Sequence, residues 1–167
     1  MARFLYLLRH AQSADKQINQ SDKGRELTPS GRKDALAMGY YLLKNNSTID
    51  IIISSPALRA HTTAGLVADA LRLDPEKIIV DDELYDASVR TFLGFVNQLD
   101  DAYHHVMCVG HNPTMSYVAE YITGAEIGDM VPAGLVEIKF PGASWKEVSE
   151  GNGNLVHYIY PELLSDE

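Results

Sequence analysis

Residues 4–13 read FLYLLRHAQS, an apolar run of strand length that stops at Arg9-His10. A short run of this kind makes a buried strand, and the elements around it decide what sheet it enters. The strand covers 3–8, and residues 11–27 behind it are polar and charged and read as a loop. TPSGRKDALAMGYYLLKNN (28–46) then opens with helix-start residues, Thr28 or Ser30 as cap and Pro29 in the first turn. Apolar residues recur along it at Ala35, Met38, Leu42 and Leu43. IDIIISSP (49–56) is a second strand, closed by serines and Pro56, and 57–71 has helical spacing. KIIV (77–80) is a third strand, 88–99 an amphipathic helix, HHVMCVG (104–110) a fourth strand and 113–122 a further helix. GLVEIKF (134–140) and NLVHYIYP (154–161) are two last strands around a Gly-rich turn region that allows a hairpin. Strand–helix alternation predicts a three-layer α/β/α sandwich with a mostly parallel central sheet, formed by a single domain over 1–167.

The bulk properties exclude several partners. Of 167 residues, 14 are basic and 23 acidic, a net charge of −9, which argues against nucleic acid or an anionic membrane surface. An acidic body still has room for a local cationic pocket. Cys108 is the one cysteine, so no disulfide framework exists and a reducing, cytoplasmic setting is expected. The N-terminal apolar run is too short for a signal peptide or a membrane span.

The strand ends carry the chemistry. The first ends in Arg9-His10, the second in Ser54-Ser55-Pro56 with Arg59 just inside the next helix, and the fourth in Gly110-His111-Asn112-Pro113. In an open α/β sheet, ligands collect at the carboxyl ends of strands. Two arginines and two histidines are thus expected at one sheet edge, and that set suits phosphate. The arginine fork matches phosphate oxygens and keeps its charge. Helix N-termini near Pro56 and Pro113 add partial positive charge.

These residues also carry a resemblance. LLRHAQS (7–13), LTPSGRKDA (27–35), SSPALRAHTTA (54–64), ELYDAS (83–88) and VGHNP (109–113) follow one another as in the histidine phosphatases, the phosphoglycerate mutase-like superfamily. The short length and SDKGRELTPSGRKDA are most similar to its SixA-like branch, named for a phosphohistidine phosphatase. The resemblance implies that His10 is the nucleophile, forming a phosphohistidine in the first of two steps. It implies that Arg9 and Arg59 hold the phosphoryl oxygens and that His111 donates to them. Ser13, Gln12 and Asn112 are expected as local hydrogen-bonding residues near the phosphate, and Arg25 and Arg32 as candidates for its rim. No metal or other cofactor is implied, because the arginines and a histidine supply the positive charge.

A poor alkoxide leaving group needs a general acid. The family places it in an L-x-E type segment, which here reads Leu84-Tyr85-Asp86, so Asp86 is the first candidate and Glu83 the second. The expected activity is a metal-independent phosphatase acting on a phosphorylated small molecule or a phosphohistidine-bearing protein. A phosphomutase of the same superfamily and a non-catalytic phosphate-binding regulator are the alternatives. A nucleotide-binding module would want a Gly-rich loop where LLRHAQS has no glycine.

The remaining candidates read as structure. His61 and His104-His105 match no compact metal-ligand spacing, and neighbours on a strand point to opposite faces. Cys108 lies in an apolar strand as a small hydrophobe. The Tyr40-Tyr41 and Leu42-Leu43 pairs are helix core and flank, and ELLSDE (162–167) is an acidic tail.

Overall fold

A computed structural model describes residues 2–164. Its strands are β1 (Arg3–Arg9), β2 (Ile51–Ser54), β3 (Ile78–Val80), β4 (His105–Gly110), β5 (Leu135–Phe140) and β6 (Asn154–Ile159). Its α-helices are α1 (Pro29–Lys44), α2 (Leu58–Leu71), α3 (Val89–Asn97), α4 (Thr114–Thr123) and α5 (Pro161–Leu164). Every expected strand and helix is present, with ends displaced by a few residues. Two elements depart further. The last strand ends at Ile159, because Pro161 removes a ladder donor and starts the short helix α5. Of the expected acidic tail, 162–164 therefore belongs to a helix, and 165–167 lies outside the described residues.

The six strands form one sheet in the order β3-β2-β4-β1-β5-β6. β1, β2, β3 and β4 pair in parallel, while β5 runs antiparallel to both β1 and β6. The sheet is therefore mostly parallel, and β5 with β6 forms the hairpin that the Gly-rich region allows.

Period-two alternation in the strands splits the core into two layers. Leu5, Leu7, Ile51, Ile53, Val106 and Cys108 pack on one face beneath α3 and α4, with Phe92, Val118 and Trp145. Tyr6, Leu8, Ile52, Met107 and Val109 pack on the other beneath α1 and α2, with Met38, Ala64 and Val67. This is the expected three-layer sandwich. Cys108 is fully buried, and burial pushes its thiol pKa up, consistent with a packing role. Tyr40 is exposed and Leu42 buried, the flank and core of α1.

The loop caps tie the first layer to the sheet edge. Thr28, not Ser30, caps α1, its side chain accepting from the Gly31 amide. A Cβ at Gly31 would overlap the Gln12 carbonyl oxygen, so only glycine lets α1 press against the segment after His10. No helix among the described residues is long and apolar enough to cross a membrane.

Candidate active site

The parallel strands end together, and backbone pairing carries on beyond them. The His10 amide donates to the Gly110 carbonyl at 3.0 Å, and the Ser55 amide to that of Val109 at 3.0 Å. Three strand ends are thereby held side by side. The segment before β5 closes them from the far side: the Ala133 amide is within 3.1 Å of the carbonyls of both Arg9 and His10. Arg9, His10, Arg59 and His111 consequently line one recess, with Gln12, Ser13, Arg25 and Asn112 around them. The expected convergence is what the fold builds.

His10 is the most constrained member. It is 9% exposed, and its Nδ1 lies 2.7 Å from the Ala11 carbonyl oxygen. A carbonyl only accepts, so Nδ1 carries the proton and Nε2 keeps the lone pair of a neutral ring. Burial, reinforced by the charges of Arg59 and Arg9, pushes its pKa down to about 3. The Ala11 amide donates in turn to Thr63 Oγ1 at 3.0 Å, and that hydroxyl donates to the Arg59 carbonyl at 2.7 Å. Thr63 thus links the nucleophile candidate's loop to the helix that carries Arg59.

His111 stands beside it, the two ring centroids 5.2 Å apart. Its Nε2 shares a 2.7 Å hydrogen bond with Ser55 Oγ, while its buried Nδ1 has no partner. Burial, followed by the charge of Arg59, pushes its pKa down to about 4. Arg9 is anchored through Nη1 to the Met130 carbonyl at 2.7 Å, and its buried Nε is free of partners. The site therefore holds two neutral imidazoles and three guanidiniums, a charge set that an anion would complete.

The supporting residues sort by their bonds. Ser13 Oγ accepts from Arg25 Nη2 at 2.8 Å, which brings Arg25 into the recess wall; Arg32 is exposed on α1 and lines no part of it. Asn112 spends its amide on architecture, donating to the Met130 carbonyl at 2.9 Å and accepting from Ser116 Oγ at 2.8 Å. A second recess opens beside the first and shares Arg59, His111 and Asn112 with it. Asp86 lines this second recess with Tyr85 and Asp22, whereas Glu83 lies on the exposed turn before it and lines neither.

Two contributors escape a reading of the sequence. Asp22, from the loop 11–27, accepts from Arg59, Arg25 and Tyr85. Nothing in a polar loop singles out the one carboxylate that reaches a helix 37 residues away. Thr63 did leave a signal: it is a hydroxyl on the buried stripe of α2, between Arg59, Ala60, Ala64 and Val67. Among the described residues, no group of histidine, cysteine and acidic side chains is arranged to hold a metal ion. His104 and His105 are instead at the start of β4, where both their amides donate to Asp50 Oδ2.

Known proteins resemble this chain in fold and in sequence. An uncharacterized protein of Mycobacterium tuberculosis is 28% identical over 92% of this chain and 99% of its own length. A structure from Agrobacterium tumefaciens, assigned by name to the SixA phosphohistidine phosphatases, is 26% identical with a TM-score of 0.81, covering 95% of this chain and 98% of that one. The protein histidine phosphatase SixA, solved with tungstate, superimposes with a TM-score of 0.83 at 24% identity over 96% of this chain and 99% of that one. The family model for the histidine phosphatase superfamily, branch 1, matches residues 5–94, more than half of the sequence and the part that carries Arg9, His10 and Arg59. By sequence and by fold, the chain belongs to the histidine phosphatase superfamily, in its SixA-like branch.

Proposed function

We propose that this phosphatase hydrolyses a phosphate monoester or a protein phosphohistidine without a metal, through a phosphohistidine intermediate on His10. The observation that carries the reading is the Nδ1–H of His10 donated to the Ala11 carbonyl, which leaves the Nε2 lone pair in a recess walled by guanidiniums. An imidazole is nucleophilic only when neutral, and the depressed pKa keeps it so.

In the first step Nε2 attacks phosphorus, an N–P bond forms and the bond from phosphorus to the leaving group breaks. The bond from Nδ1 to Ala11 stabilises the positive charge that the ring gains. Arg9, Arg59 and Arg25 neutralise the phosphoryl oxygens, and His111 donates to them, as phosphoryl transfer depends on position and charge. Asp86, at the wall of the adjoining recess, protonates an alkoxide leaving group. In the second step water attacks the phosphohistidine and gives a proton to the Asp86 carboxylate left by the first step, the N–P bond breaks, phosphate departs and His10 returns to its neutral form.

Rapid quenching with labelled p-nitrophenyl phosphate is the test. Label should appear on a peptide containing His10, in an acid-labile and alkali-stable linkage, and His10→Ala should abolish both label and turnover. Label elsewhere, or turnover with no labelled enzyme, refutes the mechanism.

A further inference from the structure

Arg59 is 7% exposed, and a guanidinium so enclosed requires a counter-charge. Asp22 supplies it. Arg59 Nη1 donates to the Asp22 main-chain oxygen at 2.8 Å and Nη2 to Oδ2 at 3.0 Å. The same Oδ2 accepts the Tyr85 hydroxyl at 2.6 Å, and Oδ1 faces Arg25 Nη1 at 3.4 Å. Three segments of chain thus grip one carboxylate. Both terminal nitrogens of Arg59 are turned toward Asp22, and the buried Nε is left without a partner.

The two recesses set the geometry. Arg59 lines both, but Asp22 lines only the one that also carries Tyr85 and Asp86. Asp22 and an anion in the His10 recess therefore meet the guanidinium from different sides. Displacing Asp22 would also break its bonds to Tyr85 and Arg25. A carboxylate gripped in this way acts as an anchor, not as an occupant waiting to be exchanged.

We infer that Asp22, held by the Tyr85 hydroxyl, is a positioning residue for phosphoryl transfer, fixing the terminal nitrogens of Arg59 so that its remaining donors face the phosphoryl group. The inference rests on the phosphatase reading above. It assigns a task to the loop between β1 and α1 and to the tyrosine of ELYDAS. It also separates their effects on rate and on binding: removing a negative charge beside the site favours an anion, while loosening Arg59 removes alignment.

Steady-state kinetics on p-nitrophenyl phosphate with Asp22→Ala, Asp22→Asn and Tyr85→Phe tests it. Asp22→Ala should lower kcat by about tenfold to a hundredfold, the scale of a small misplacement in an aligned site. KM should stay at or below the wild-type value. Asp22→Asn keeps an acceptor for Arg59 and Tyr85 and should retain kcat within about threefold, and Tyr85→Phe should fall between the two. Thermal melts exclude a loss of folded protein as the cause. A lower KM with unchanged kcat in Asp22→Ala would make Asp22 a competing anion and overturn the inference; so would parallel losses that follow stability. If Asp22→Ala does not fold, an unchanged kcat in Tyr85→Phe overturns it equally. Phosphoenzyme trapped at the wild-type rate in every variant defeats this inference alone, whereas no phosphoenzyme in the wild type defeats the reading beneath it.

Discussion

Asp86 tests what the leaving group requires of a single side chain. It lines the recess next to His111, on an exposed loop and at a positive φ of 56°. An alkyl phosphate leaves as a strongly basic alkoxide, whereas p-nitrophenolate and a histidine imidazole leave with little help from an acid. Asp86→Asn should therefore slow an alkyl phosphate by about 10²–10⁴, the usual worth of general acid help, and spare the other two substrates. Measured kcat/KM on the three substrates checks this. Equal losses on all three would make the aspartate a positioning group, and no loss would remove it from the chemistry.

At the level of elements, the site depends on how closely α1 approaches the loop after β1. α1 and α2 both pack on the sheet face that ends at His10, and α1 touches that loop at Gly31. A methyl group there would overlap the Gln12 backbone, which neither segment can relieve by turning a side chain. Gly31→Ala should destabilise the fold by about 1–3 kcal/mol, the usual scale of overpacking. Because Gln12 follows Ala11, whose carbonyl orients His10, activity should fall further than the loss of folded protein explains. Denaturant melts beside kcat measurements separate the two effects. Gly39, where a Cβ would come within 2.6 Å of Ala70 Cβ, is the comparison: it tightens the α1–α2 contact without touching the loop after His10.

For the molecule as a whole, burying two neutral histidines couples stability to pH. His10 and His111 are held at about 3 and about 4, while an unfolded histidine titrates near 6.5. Between those values the unfolded chain binds protons that the folded chain refuses, so stability falls as pH drops below about 6.5 and levels off near the folded pKa values. The loss should reach about 6 kcal/mol by pH 4 for the pair, since each histidine kept neutral costs about 1.4 kcal/mol for each step of one in pH below its unfolded pKa. Urea melts at pH 7 and pH 4 measure it, and His10→Asn should flatten the slope. Metal dependence is the second global property. Arginines and a histidine already face the phosphoryl recess, so turnover should survive exhaustive chelation. Loss with EDTA and recovery with a divalent ion would contradict the proposed chemistry.

Much of this architecture is legible in the chain because it is local or periodic. The apolar runs, the cap at Thr28 or Ser30 and the punctuation by Pro56 and Pro113 determine strands, helices and their order. Alternation of the elements makes the sheet parallel, and a parallel sheet brings its strand ends together. Arg9, His10, Arg59 and His111 can therefore be assigned to one edge from the sequence. Which loop residues complete that edge is not legible there. Arg59 and Tyr85 meet at Asp22 only because the loop after β1 folds back across α2, and no short-range pattern encodes a contact over 37 or 63 residues. The same holds for Met130, whose carbonyl fixes Arg9 and Asn112 from a segment with no periodicity of its own. Periodicity and strand order decide where chemistry gathers, while long-range hydrogen bonds to buried charges decide how each group is aimed.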